Sequence, residues 1–123
     1  MNKTTLGIIG GGQLGSLLAS AAKKIDIKTI IFCDDINAPG QKFSDGFIFS
    51  DYHNEKKINE FIDKVDIVTF EFENIPFETL NIINESKKVL PNPRINQIIQ
   101  NRLKEKNFIN NFGIKTTSYA SVK

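Results

Sequence analysis

Six residues near the amino terminus, Gly10-Gly11-Gly12-Gln13-Leu14-Gly15, constrain the fold of this chain more than any other stretch of it. They follow a short apolar run, Leu6-Gly7-Ile8-Ile9, and lead into a segment that places Leu14, Leu17, Leu18, Ala21, Ala22 and Ile25 at helical spacing. A buried strand that ends in glycines and turns at once into a helix is the opening of a parallel α/β unit. At such a junction the G-x-G-x-x-G pattern has a physical use. Glycine allows a tight turn and close approach to a ligand, and the free N–H groups and positive dipole end of the helix attract a phosphate. The same glycines would also let the helix pack closely on the strand with no ligand present.

The rest of the chain continues in the same alternation. Thr29-Ile30-Ile31-Phe32-Cys33 is a second apolar run, and its right-handed crossover from the first makes the two strands parallel. Asn37-Ala38-Pro39-Gly40 is turn chemistry, and Gly46-Phe47-Ile48-Phe49 follows as a third strand after an irregular or helical link. Asn54 is placed to cap a helix through Lys64 with Ile58, Phe61, Ile62 and Val65 on one face. Asp66-Ile67-Val68-Thr69-Phe70 is then the fourth strand. Pro76 suits the first turn of a helix carrying Phe77, Leu80, Ile82 and Ile83, and Lys88-Val89-Leu90 is a last short strand stopped by Pro91-Asn92-Pro93.

The fold class is therefore α/β, a Rossmann-like parallel sheet with helices on both faces, over residues 1–93. Residues 94–123 change texture. Ile95, Ile98, Ile99, Leu103, Phe108, Ile109 and Phe112 mark a helix pair ended by Gly113, and strand-like Thr116, Thr117, Tyr119 and Val122 follow as the opening of a further unit.

Composition narrows the function classes. With 123 residues the chain holds one domain and a stub of a second, and 40% hydrophobic residues with ten Phe supply one core. Lys and Arg number 16 against 14 Asp and Glu, with no basic run, so the charge carries no nucleic-acid footprint. One cysteine, Cys33, excludes an internal disulfide and a four-thiolate zinc site. No apolar run is long enough to span a bilayer or act as a leader, and a cytoplasmic location is the expectation.

Two acidic sites bear on the ligand. Asp34 lies about 20 residues past the glycine loop, where a dinucleotide site places the carboxylate that holds ribose hydroxyls, and so NAD is one candidate ligand. Val68-Thr69-Phe70-Glu71-Phe72-Glu73-Asn74-Ile75-Pro76 ends a strand on the same sheet edge as the loop. Alternation puts Glu71 and Glu73 on one face and Phe70 and Phe72 on the other, so a carboxylate faces the crevice unless both glutamates are merely solvated. His53, beside Tyr52, has no assigned role. Phe43, Phe47, Phe49, Phe61, Phe70 and Phe72 read as core and edge packing.

Together these stretches, with Gln100-Asn101-Arg102-Leu103-Lys104-Glu105-Lys106 and Phe112-Gly113-Ile114-Lys115-Thr116, resemble the amino-terminal pre-ATP-grasp domain of the 5-(carboxyamino)imidazole ribonucleotide synthases. The likeness runs over essentially the whole chain. Formate-dependent glycinamide ribonucleotide transformylase and biotin carboxylase share the layout but usually vary the glutamate-rich stretch.

The resemblance implies an ATP-dependent carbon–nitrogen ligase of purine (IMP) biosynthesis. ATP and bicarbonate form carboxyphosphate, and the exocyclic amine of 5-aminoimidazole ribonucleotide captures the carboxyl group. It places Gly12, Gln13, Leu14, Glu71 and Glu73 at the ribonucleotide, Glu71 ahead of Glu73, and Arg102 at ATP. It implies magnesium with ATP and a homodimer, with no nucleic acid and no membrane as partners. Asn101 stands where the family usually has aspartate, and Ser16 where it usually has a basic residue. The family's ATP-grasp fold, its magnesium carboxylates and the rest of its active site lie beyond Lys123. The expectation is that this chain folds, holds no catalytic residue, binds its ribonucleotide weakly at most and does not turn over ATP alone. A NAD-binding oxidoreductase domain and a stand-alone nucleotide-sensing module are the competing readings.

Overall fold

The computed structural model describes residues 3–122. Five strands, β1 (Thr5–Ile9), β2 (Lys28–Cys33), β3 (Gly46–Phe49), β4 (Ile67–Phe70) and β5 (Lys88–Val89), form one sheet in the order β3-β2-β1-β4-β5. All neighbours pair in parallel, with Ile8 level with Ile31 and Thr69, and Ile9 level with Phe32 and Phe70. Helices α1 (Gln13–Lys24), α2 (Glu55–Lys64) and α3 (Phe77–Ser86) connect the strands, and a 3-10 turn at Pro39–Lys42 precedes β3. The pair α4 (Pro93–Ile99) and α5 (Arg102–Asn111) follows.

Local chemistry explains the helix starts. The Asn54 side chain accepts from Lys57 N–H, Asn92 from Arg94 N–H, and Asn101 from Lys104 N–H, which caps α2, α4 and α5 in turn. Pro93 occupies the first turn of α4, where its missing N–H costs nothing. Helices α1 and α3 have no side-chain cap, and α1, with Gly12 at its N-cap, also lacks the acidic first-turn residue that α3 has in Glu78. Two of the N–H groups at the start of α1, those of Gly12 and Gly15, are satisfied from elsewhere in the fold.

The two-residue period of the strands divides the core. Ile8, Ile31 and Cys33 face α1 with Ala19 and Ala38, whereas Ile9, Phe32 and Val68 face α2 and α3 with Ile58, Phe61, Leu80 and Ile83. Phe61 is fully buried, its ring 5.5 Å from that of Phe32, and burial of one such side chain contributes about 1.5–3 kcal/mol.

The helix faces differ from the sequence expectation in one instructive way. Helix α1 does not bury its leucines: Leu14 and Leu17 are 60% and 59% exposed, and Ile25 is exposed as well. Its packed face is Gly15, Ser16, Ala19 and Ala22, all small, which draws the helix axis close to the sheet. Helical spacing identified the helix but not which of its two nonpolar faces the sheet selects. Ile82, Phe43 and Phe49 are also exposed rather than core. Pro76 is the N-cap of α3 instead of a first-turn residue, and Leu90 lies outside β5. Residues 114–122 form no strand, and Lys123 lies outside the described residues.

Candidate functional site at the carboxyl edge of the sheet

From β1 the chain winds outward to β2 and β3 on one side, then returns to β4 and β5 on the other. The reversal leaves a crevice at the carboxyl ends of β1 and β4, the position where open parallel sheets bind ligands. Two segments reach it: the glycine loop after β1, and residues 71–76 after β4.

Glu71 joins them. Its N–H donates to the Ile9 carbonyl (3.1 Å), which extends the β1–β4 pairing one residue past the strands and fixes where the side chain begins. The carboxylate then lies against the start of α1. Gly12 N–H donates to Oε1 at 3.3 Å and Gly15 N–H donates to Oε2 at 3.2 Å. Helix α1, which has no cap of its own, is thus capped by a glutamate 59 and 56 residues away in sequence. Both bonds are longer than the ~2.8 Å of a close charge-assisted bond, so together they stabilise by about 1 kcal/mol rather than several.

The glycines fit this carboxylate. Gly10 has φ +100°, and a Cβ there would stand 2.5 Å from Glu71 Cγ; a Cβ on Gly15 would stand 2.6 Å from the Gly10 carbonyl oxygen. Both readings of the loop therefore have a share: the glycines serve close packing, and the N–H groups do bind an anion. That anion is the chain's own carboxylate. The pyrophosphate of a dinucleotide needs those same N–H groups and would meet a negative charge on them.

The crevice beside Glu71 encloses about 200 Å³ between Gly11, Gly12, Cys33, Asp34, Tyr52 and Phe72. Complete small-molecule sites usually enclose ~300–1,000 Å³, so this crevice is smaller than such a site. Residues 71–76 carry no regular structure, and helix α4 holds them: Asn96 Nδ2 and Gln100 Nε2 both donate to the Ile75 carbonyl, at 2.8 and 2.6 Å. Tyr52 is clamped from below, since Thr79 Oγ1 donates to its carbonyl at 2.8 Å and its ring meets Phe32 edge-on at 5.7 Å. Burial pushes the Tyr52 phenol well above its ordinary range, and neighbouring Cys33 and Asp34 push it further.

Of the residues singled out in the sequence, the structure brings Gly12 and Glu71 into contact and leaves Gln13 and Leu14 exposed on the first turn of α1. Glu73 is exposed in the loop that follows β4. Arg102 is elsewhere, at the start of α5, where it pairs with Glu105 at 2.6 Å and borders a separate opening of about 380 Å³ with Lys106 and Tyr119. Tyr52, Asn96 and Gln100 were not legible as site residues. Their roles depend on contacts spanning 21 to 27 residues, which no local pattern announces. Among the described residues no group of three or more His, Cys, Asp or Glu is placed to hold a metal ion. No helix of the described residues is long and apolar enough to cross a membrane.

Residues 3–100 match the family described as the ribonucleotide synthetase preATP-grasp domain. The chain belongs to that family. Among curated relatives of this preATP-grasp domain, the N5-carboxyaminoimidazole ribonucleotide synthase of Brucella melitensis is 38% identical over 119 residues, which is 97% of this chain and 33% of that protein. The Staphylococcus aureus N5-carboxyaminoimidazole synthetase, solved with ADP, is 35% identical with TM-score 0.87, covering 99% of this chain and 34% of that one. The Aspergillus clavatus N5-carboxyaminoimidazole synthase, solved with ADP and 5-aminoimidazole ribonucleotide, is 27% identical with TM-score 0.80, covering 92% and 30%. The preATP-grasp chain thus spans about a third of the length of these relatives. The likeness to the ribonucleotide synthases bears out the resemblance read from the glycine loop and the glutamate-rich strand end, and it does not support the oxidoreductase reading.

Proposed function

We propose that this chain is the preATP-grasp part of an ATP-dependent ligase that carboxylates 5-aminoimidazole ribonucleotide with bicarbonate in purine biosynthesis. The observation that carries the reading is the Glu71 carboxylate, held on the amides of Gly12 and Gly15 at the switch point of the sheet. It fills the dinucleotide phosphate position and puts a hydrogen-bond acceptor at the edge of a crevice fit for part of a small nucleotide. The ligands of the Staphylococcus and Aspergillus enzymes, ADP and 5-aminoimidazole ribonucleotide, support the same assignment.

In this reading Gln13 and Leu14, on the exposed first turn of α1, and Gly12 form one side of the ribonucleotide site. Glu71, with Glu73 behind it, accepts from the ligand's hydroxyl or amino groups. The chemistry needs only positioning from this wall: the exocyclic amine must be held facing the carboxyl donor while water is excluded. Arg102 serves ATP, and the exposure of its guanidinium beside Lys106 gives ATP phosphates two cations to meet. Bicarbonate as carboxyl donor, magnesium with ATP, a homodimer and a cytoplasmic location belong to the same proposal and rest on the likeness to these synthases.

Calorimetric titration of the purified chain with 5-aminoimidazole ribonucleotide, with NAD as comparison, tests it. Saturable ribonucleotide binding that weakens about tenfold in Glu71→Gln supports the proposal, on the scale of a hydrogen bond to a charged group. NAD binding without ribonucleotide binding refutes it.

A further inference from the structure

Asp34 and Tyr52 form a group in the crevice that the reading above leaves unused. Tyr52 is only 5% exposed, and its hydroxyl, closed off from water, makes no well-formed hydrogen bond although the backbone and carboxylate of Asp34 lie within reach of it. A buried hydroxyl left unpaired is unfavourable by about 1–3 kcal/mol, so its retention calls for an explanation. The ring already fills its place against Phe32, so packing alone would be served equally well by phenylalanine.

The groups facing that hydroxyl are Cys33 and Asp34, at the end of β2. Asp35 also borders the crevice, but it does not face the hydroxyl, and its Oδ1 accepts from Asn37 N–H at 2.8 Å. Asp34 is exposed and borders the same crevice as Glu71. A rotation of this exposed carboxylate that lets one oxygen accept from Tyr52 Oη would leave the other free to face the crevice.

We propose that Asp34 is a second ligand-contacting carboxylate of this crevice, one that accepts hydrogen bonds from the vicinal hydroxyls of a ribose, and that Tyr52 is the positioning residue that orients it. Asp34 and Glu71 then read the ligand from two sides, β2 and β4, and the pair selects a ribonucleotide over its deoxy counterpart. This rests on the ribonucleotide reading of the site. A hydroxyl-reading site discriminates because the analogue that lacks the group leaves a desolvated carboxylate unpaired.

The test is titration of the 123-residue chain with 5-aminoimidazole ribonucleotide and its 2′-deoxy analogue, carried to millimolar ligand, in wild type, Asp34→Asn, Tyr52→Phe and the double variant. Asp34→Asn is expected to weaken ribonucleotide binding about tenfold and to shrink the preference for the ribose form. Tyr52→Phe is expected to weaken it about threefold in the wild-type background and not at all in the Asp34→Asn background, a coupling that a purely structural hydroxyl does not show. Unchanged affinity in Asp34→Asn alongside a loss in Glu71→Gln overturns the inference alone. Ribonucleotide binding that Glu71→Gln and Asp34→Asn both leave unchanged overturns the reading of the site and this inference with it.

Discussion

The sheet with its three connecting helices and the terminal helix pair are held together in different ways. In the first, Ile8, Ile9, Phe32, Phe61 and Val68 are fully buried between strands and helices on two faces. In the second, α5 buries no residue, and Leu103, Phe108 and Phe112 stand in solvent. Helix α4 is the joint. Its Asn96 is buried and bonded to Ile75, so the helix pair is tied to the fold at the loop that carries Glu71 rather than through an apolar core. The sheet thus carries the crevice at its carboxyl edge, and an appended helix fixes the loop beside it.

The sharpest way to break the comparison is to remove a phenylalanine from each region. Phe61→Ala, at full burial, is expected to cost about 3–5 kcal/mol in denaturant unfolding. Phe112→Ala, at 69% exposed, should stay within about 0.5 kcal/mol. Equal losses would mean that the helix pair has a core of its own. Gly15→Ala is next. Its Cβ meets a backbone oxygen at 2.6 Å, and a net loss of about 1–2 kcal/mol remains after the gain in helix propensity. A stable Gly15→Ala chain would show that the close approach of α1 to the loop is not required.

Glu71→Gln keeps the shape and removes the charge from the start of α1. About 1 kcal/mol of stability should go with it, less at high salt, as read from melts at two ionic strengths. A rise in stability would mean that the carboxylate is strained against the loop. The smallest effect is on the surface of α2, where Lys57 and Lys64 hold the Glu60 carboxyl at about 2, below its ordinary 4.5. A depressed carboxylate pKa stabilises fully above pH 4.5 and loses that contribution as pH falls toward 2. Because the pair is solvated, Glu60→Gln should lower the melting temperature only slightly at pH 7 and not at pH 2.

The sequence carried the architecture because its signals were local. The glycine loop, the Asn54 cap and the apolar runs of β1, β2 and β4 each specify an element within a few residues. The facing of α1 was not legible, since Leu14 and Leu17 satisfy the helical period as well as Gly15, Ala19 and Ala22 do, and only the sheet's demand for close approach decides between them. At the site, the motif pointed to Glu71 and Gly12 but assigned the loop's N–H groups to a ligand phosphate. That Glu71 itself occupies them depends on β1 and β4 being neighbours, a fact of topology. Tyr52, in a stretch that reads as an ordinary loop, became visible only through burial of its hydroxyl.

The most direct test of the central claim is an amide NMR map of the chain with 5-aminoimidazole ribonucleotide. The account predicts shifts concentrated at Gly11, Gly12, Gln13, Leu14 and Glu71, with residues 94–122 largely unmoved. Shifts confined to the helix pair and tail, or a map produced by NAD and not by the ribonucleotide, would contradict it.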